Sequence, residues 1–425
     1  MDPNVKETTQ TPEQGNKKPS RSVWYFVTVM VLSAVLLTSA LLFANSWLSE
    51  INTYSTTTQK PTQATPKPTS GTKPTQTTTQ KPTTAVVIDL GISEYPDEVW
   101  LVGEAAQAYL KEEKVEIVGD FLWPYLSGGQ RQDVGMPVEL ACYVNALPEG
   151  CHVASVVFYL SEKADFSDAV AYYPEPDTYS VRVYGLYTGK QYYCKAVISL
   201  SDGTQQVRNS QFYTADTPRV LGIDGIVNVR DIGGWKTTDG KVIKQGLLYR
   251  GSELDGLNEP SYRLTEQGKQ QMLEMLQIRM DMDLRYAGEN VLGENVKHTC
   301  YAAIQYSDAF TDAGKDAVRR VFADLADPDN YPIYMHCTYG ADRTGTMCYL
   351  LEALLGVSDA DLMRDYQLTG LTFCYVSQEL MDAFIQEIAA FAGDTTQEKV
   401  ENFLLSVGVT PQQIESIRDI FLEEN

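Results

Sequence analysis

The chain has 425 residues, too many for one ordinary domain, and its 43% hydrophobic and 10% aromatic content excludes wholesale disorder. A formal charge of −22 argues against a general nucleic-acid binder, and seven cysteines without a CxxC pair argue against a disulfide scaffold or a zinc module. The charge is uneven: residues 1–84 hold 8 Lys/Arg against 4 Asp/Glu, which leaves 26 against 52, or −26, for the rest.

After a polar tail (1–22), residues 23–48 read VWYFVTVMVLSAVLLTSALLFANSWL, without a charge. At about 1.5 Å per residue this run makes a helix of roughly 39 Å, enough for a ~30 Å hydrocarbon core. Trp24, Tyr25 and Trp47 stand near its ends; Lys17, Lys18 and Arg21 precede it and only Glu50 follows closely. The positive-inside rule then places the tail in the cytoplasm and everything beyond residue 48 outside. The run exceeds the roughly 7–15 apolar residues of a cleaved signal peptide, so a retained single-pass anchor in the cell membrane is expected rather than cleavage near Ala44. Residues 49–85 are rich in Thr, Pro, Gln and Lys, with the near-repeat QKPT at 59 and 80. Such a segment has little to bury and favours polyproline II; it reads as a spacer reaching roughly 100 Å or as an ordinary flexible linker.

Residues 86–133 carry weak signals for strands at 99–102 and 115–118 and for a helix near 104–112, with no function assigned. Over 134–217 the period changes to two. Runs at 138–144, 153–159, 180–184, 192–198 and 206–213 are β-branched or aromatic and separated by turn residues, which predicts a small β-sandwich. Leu186-Tyr187-Thr188-Gly189-Lys190-Gln191-Tyr192 resembles the corner that opens the penultimate strand of fibronectin type III and immunoglobulin-like modules. With that resemblance, Cys194 two residues after Tyr192 and Cys142 on an early strand stand as an inter-sheet disulfide or as two buried reduced thiols. A sandwich of this kind implies a spacer or a module for a cell-surface ligand.

The chemistry concentrates at residues 336–345, HCTYGADRTG. The apolar run Tyr331-Pro332-Ile333-Tyr334-Met335 enters it, and Met347, Leu350, Leu351, Leu354 and Leu355 leave it at helical spacing until Gly356. A strand, a tight loop and a helix N-terminus hold a phosphate, because consecutive backbone N–H groups and the helix dipole converge on the anion. The same field favours a thiolate at Cys337, and Arg343, six positions on, offers a planar fork for two phosphate oxygens.

These residues resemble the signature of cysteine-based phosphatases. Asn228-Val229-Arg230-Asp231-Ile232-Gly233-Gly234, Gly246-Leu247-Leu248-Tyr249-Arg250-Gly251-Ser252-Glu253-Leu254, Asp281-Met282-Asp283-Leu284-Arg285 and Arg364-Asp365-Tyr366 make the chain similar to the bacterial secreted tyrosine phosphatases of the mycobacterial and listerial exported type. The resemblance implies an α/β phosphotyrosine phosphatase fold over 218–425 with a largely parallel sheet, so that the expected chain is multidomain: a transmembrane helix, the all-β sandwich, then this domain. It implies Cys337 as nucleophile and Arg343 as phosphate clamp, with Thr344 donating its hydroxyl to the departing thiolate. His336 then sets the thiolate through backbone hydrogen bonds, and Thr338, Tyr339, Gly340 and Ala341 offer backbone N–H groups. Asp342 matches the family's loop acid and Asp308 is the rival on a movable loop; Asp283 and Arg285 brace the sheet end. No cofactor or metal is expected.

One departure is Ala341, where the family commonly has Lys; its loss weakens contact with additional phosphates of an inositol ring. The expected function is a membrane-anchored, extracytoplasmic phosphatase acting on phosphomonoesters, phosphotyrosine first, in phosphorylated proteins or small molecules. The alternatives are an inositol-phosphate or phosphoinositide phosphatase of the same fold, and a surface binding protein with a vestigial phosphatase domain.

Overall fold

The structure, a computed structural model, describes residues 88–112, 122–126, 131, 133–175, 178–302, 305–372 and 374–423. The expected tail, anchor and linker, and the expected strand at 115–118, lie outside these residues. Among the described residues no helix is long and apolar enough to cross a membrane.

The first elements are β1 (Asp89–Ile92), α1 (Glu104–Lys111), β2 (Val138–Ala146), β3 (Val153–Ser161), β4 (Val170–Tyr172), β5 (Ser180–Val183), β6 (Gln191–Leu200) and β7 (Gln205–Tyr213). Their strands form two antiparallel sheets, β1-β2-β5 and β4-β3-β6-β7. Alternation drives the arrangement: along β6, Tyr192, Cys194, Ala196, Ile198 and Leu200 are buried while the intervening residues are partly exposed. Those side chains meet Leu140, Phe158 and Phe212 in one apolar core shared by both sheets. The Tyr192 hydroxyl accepts a hydrogen bond from the Tyr187 N–H at 3.0 Å, tying the corner before β6 to the strand. Cys142 and Cys194 are both buried free thiols; burial pushes them up to about 11 and about 12.

The expected strand at 99–102 is not formed. Val99 and Val102 each make one isolated bridge, to Thr214 and Gly135, and bridges to different neighbours build no ladder. Instead the 86–133 segment divides its residues between two cores. β1 extends the sandwich, while Ala106 and Tyr109 of α1, with Leu122 and Leu126, join the core of the following α/β region. The Tyr109 hydroxyl donates to Gln367 Oε1 at 2.8 Å.

That region runs through β8 (Arg230–Asp231), β9 (Val242–Ile243), β10 (Leu248–Gly251), α2 (Glu266–Gln270), β11 (Met280–Asp283), β12 (Lys297–Cys300), α3 (Asp312–Leu325), β13 (Ile333–His336), α4 (Asp342–Leu355), α5 (Asp359–Leu368), α6 (Gln378–Ile388), α7 (Thr396–Ser406), α8 (Pro411–Phe421) and β14 (Leu422–Glu423). The sheet order is β12-β11-β13-β10-β8, parallel except for β8. β10, β11 and β13 are buried throughout, as strands covered on both faces must be. Ile333 and Met335 point to one core with α4, and Tyr334 points to the other with Tyr249. Helix α4 is buried nearly all round and ends at Gly356, whose φ of +93° closes the helix where a Cβ would be strained.

Candidate active site

Strand β13 is the middle strand and ends at His336, in register with Gly251 of β10 and Asp283 of β11. Ligands of parallel sheets bind beyond the carboxyl ends of the strands, so residues 337–341 lie where the topology opens a crevice. Each of the first four carbonyls of this loop has a named partner. The Cys337 oxygen is 3.2 Å from His336 Nδ1, and the Thr338 oxygen accepts from the Glu253 N–H at 3.1 Å. The Tyr339 oxygen accepts from Asn228 Nδ2 at 3.1 Å and the Gly340 oxygen from Arg250 Nη2 at 2.8 Å. In a trans peptide the carbonyl and the next N–H point in opposite directions. Anchoring these oxygens to the scaffold therefore turns the N–H groups of Thr338, Tyr339, Gly340 and Ala341 towards the loop's centre. Gly340 has a φ of +70°, and a Cβ there would sit 2.4 Å from the Gly251 oxygen, so glycine is dictated by both conformation and space.

The helix adds to this. Ala341 occupies the N-cap of α4 with no side-chain cap, so the first N–H groups of the helix remain for an anion. Cys337 is buried at the loop's start. Arg343 folds back across the loop, its Nη2 3.3 Å from Thr338 Oγ1. Thr344 Oγ1 is buried without a hydrogen-bond partner, so the expected donation to the sulfur is absent from this arrangement. Asp342 opens α4 and its Oδ1 accepts from the Tyr306 hydroxyl at 2.5 Å; Tyr306 in turn contacts the Tyr366 hydroxyl at 2.7 Å. Asp308 lies exposed on the short 3-10 turn Tyr306–Phe310.

The donors that anchor the loop are themselves held. Asp365 of α5 pairs with Arg250 at 2.5 Å and Arg230 at 2.9 Å, all three buried. Burial opposes the Asp365 charge, but the two guanidinium groups hold its carboxyl below the usual range. Arg230 Nη1 donates to Asn228 Oδ1 at 2.5 Å, and the Asn228 N–H donates to Asp133 at 2.8 Å, fixing the amide that reaches Tyr339. Glu352 of α4 is buried beside this cluster with neither carboxyl oxygen hydrogen-bonded, and burial pushes it well above the usual carboxylate range.

On the other side of β13, His336 Nε2 meets Asp281 Oδ1 at 2.9 Å. Burial alone would depress the imidazole; the Asp281 carboxylate outweighs it and raises His336 to about 9. A protonated ring donates from both nitrogens, to Asp281 and to the Cys337 carbonyl. Arg285 bonds Asp283, Asp255 and Glu253 together, bracing the ends of β10 and β11.

Among the positions that carry no role in the sequence reading are Asn228, Arg230, Arg250, Glu253, Asp281, Tyr306 and Asp365. All but Tyr306 fall in strings that resemble the phosphatase family, which was the signal available. Among the described residues, one set of side chains of metal-ligand type gathers outside the loop: Asp283, His298 and Cys300.

Residues 221–423 match the sequence profile of the tyrosine phosphatase family. A Cupriavidus necator protein with the provisional name tyrosine-protein phosphatase is 28% identical over 34% of this chain and 61% of its own length. The chain thus spans about 61% of the length of that curated relative. Among solved structures, the core catalytic domain of the PP-IP phosphatase Siw14 from S. cerevisiae, in complex with citrate, aligns at 15% identity over 38% of this chain and 84% of its own, with a TM-score of 0.25. A second Siw14 catalytic core aligns at 16% identity over 37% of this chain and 88% of its own, with a TM-score of 0.26. The profile match covers just under half of the chain and, with the phosphatase relative, supports a tyrosine phosphatase family domain of the phosphoric monoester hydrolase class at residues 221–423.

Proposed function

We propose that this protein hydrolyses phosphomonoesters, phosphotyrosine first, through a phosphocysteine at Cys337, with the catalytic domain held outside the cytoplasm by the apolar segment 23–48. The observation that carries the reaction is the loop with its carbonyls tied to the scaffold and Arg343 folded back on Thr338, from which planar peptides turn the N–H groups inward. A phosphoryl group in that cradle has its three non-bridging oxygens bound by N–H groups and the guanidinium, which stabilise the charge that spreads in the transition state. The Cys337 sulfur attacks phosphorus in line with the leaving oxygen; the P–O bond breaks as the S–P bond forms. Tyr306 holds Asp342 Oδ1, which leaves Oδ2 to carry the proton that the departing phenolate takes. Water then attacks phosphorus, loses its proton to the same carboxylate, and releases phosphate and the thiolate.

The loop wall supports an aromatic substrate. Tyr339 is 41% exposed and stands edge-on to Tyr262, centroids 5.7 Å apart, giving a phosphotyrosyl ring an apolar surface beside the cradle. Ala341 brings no cation for further phosphates. The sandwich, fibronectin-like in its tyrosine corner, serves as spacer or as binding module for a surface ligand; the anchor reading rests on the uncharged run and its flanking Lys17, Lys18 and Arg21.

Purified full-length protein is expected to hydrolyse p-nitrophenyl phosphate in chelator, and Cys337→Ser to lose at least about a thousandfold in turnover. Equal rates for the two proteins, or none in either, would favour a binding protein. Faster turnover of phosphoinositides than of phosphotyrosyl peptides would replace the tyrosine reading with the inositol one.

A further inference from the structure

Strands β11 and β12 pair in parallel register, placing Asp281 beside His298 and Asp283 beside Cys300. β12 is the edge strand, so His298 and Cys300, two residues apart, share one face at the rim of the sheet. His298 Nδ1 lies 3.0 Å from Asp281 Oδ2, and its Nε2 lies 3.4 Å from Cys300 Sγ. A carboxylate on one ring nitrogen fixes the imidazole and aims the other nitrogen, the arrangement that orients metal-binding histidines. Tetrahedral Zn²⁺, with bonds of about 2.3 Å to sulfur and about 2.0–2.1 Å to nitrogen, places two such ligand atoms roughly 3.5 Å apart. Nε2 and Sγ already stand at that separation.

Asp283 supplies the third ligand. One of its oxygens lies within 4.8 Å of both other ligand atoms. Its Oδ1 stays on the Arg285 N–H and Nε at 2.8 and 2.9 Å, and Arg285 Nη2 also reaches Asp255 at 2.8 Å, so Oδ2 is available to a cation without stranding the guanidinium. The charge balance favours this move: Arg285 and the protonated His336 together face four carboxylates, those of Glu253, Asp255, Asp281 and Asp283, a surplus of two negative charges that a dication offsets. His298 is 15% exposed and Cys300 is partly exposed, so an ion reaches the pair from solvent.

We infer that Asp283, His298 and Cys300 form a binding site for Zn²⁺, with water as the fourth ligand. Asp283 adjoins the phosphate loop through the register of β11 and β13, but Cys337 is not one of the three ligands, so coordination does not depend on it. The Cys300 thiol releases its proton on ligation, as thiol ligands of zinc do.

Zn²⁺ titration of the full-length protein by calorimetry, with Co²⁺ as a spectroscopic substitute, tests the site. One equivalent and a thiolate-to-Co²⁺ charge-transfer absorption are expected in the native protein and equally in Cys337→Ser. Cys300→Ser and His298→Gln are each expected to weaken binding at least tenfold while still unfolding, metal-free, in a cooperative transition. Cys300→Ala replaces any variant that fails to fold. The site is refuted by the lack of a charge-transfer band in the native protein, by its loss in Cys337→Ser, or by undiminished binding in both Cys300 variants.

Discussion

Among the described residues between 134 and 217 the buried polar side chains are hydroxyls, those of Ser161, Thr188, Thr214 and Thr217. Beyond residue 218 the buried set includes Arg230, Arg250, Glu253, Asp281, Asp283, Arg285, His336 and Asp365, all close to the phosphate loop. The sandwich is held by apolar alternation, which tolerates exchange of one hydrophobe for another of similar volume. The phosphatase domain instead buries charges that must remain paired, because an unpaired charge in the interior is far more costly than a small cavity. The first design yields a stable shape; the second fixes the direction of individual carbonyls, which is what an anion cradle needs.

The contrast is strongest in activity. Asp342→Asn keeps the volume and the Tyr306 contact but removes the transferable proton. Turnover of aryl phosphates across pH 5–7 is expected to fall by about 10²–10⁴-fold with little change in melting temperature. An unchanged rate would move the acid role to Asp308 or to solvent.

Stability separates the regions next. Asp365→Ala strands two buried guanidinium groups, and a loss of about 3–5 kcal/mol is expected, together with activity, since Arg250 then no longer positions the Gly340 carbonyl. In the sandwich, Leu140→Ala is expected to cost about 2–5 kcal/mol while kcat below the melting transition stays native. Denaturant titrations paired with p-nitrophenyl phosphate assays distinguish the two; loss of kcat in Leu140→Ala would show that the sandwich shapes the loop.

These differences explain what the sequence reveals. The strands at 138–144, 153–159, 192–198 and 206–213 are visible because period two is a local signal, and the structure extends them by at most two residues at either end. Short β1 and β4 escape because four and three residues carry too little pattern. The loop is visible because its ten residues are contiguous. Its support is not: Arg250 reaches Asp365 over 115 positions and Asn228 reaches Tyr339 over 111, and no periodicity encodes such pairs. Asp281 carries no visible role in the sequence; only the register of β11 and β13 sets it close enough to bond His336.

The pairing of Asp281 with His336 gives the phosphatase domain a pH dependence that an apolar core lacks. His336 is raised from 6.5 to about 9 in the folded protein, so its folded form binds the proton more tightly than the unfolded chain. The resulting stabilisation is fully present below pH 6.5 and is lost as pH rises through about 9. His298, raised by its hydrogen bond to the other Asp281 oxygen, acts in the same direction. Thermal melts between pH 6 and 9.5 are therefore expected to fall more steeply in the native protein than in Asp281→Asn. Parallel curves would show that Asp281 does not hold the imidazole charged.

The smallest effect belongs where the two designs meet. Gln245 Oε1 accepts from the Thr188 N–H at 3.0 Å and its hydroxyl at 3.1 Å, while Gln245 Nε2 donates to the Thr188 oxygen at 2.8 Å. One amide thus satisfies three polar groups of the sandwich corner, each of which otherwise needs water at a partly buried position. Gln245→Ala is expected to cost about 1–2 kcal/mol, because the net worth of such bonds is small and water recovers part of it. Arg219, which bonds Asp231 at 3.1 Å and the Gly185 oxygen at 2.6 Å, still joins the regions in that variant. Unfolding is accordingly expected to remain one transition with unchanged kcat. Two separated transitions in calorimetry would mean that Gln245 alone couples the regions, and that the charged network folds without the sandwich beside it.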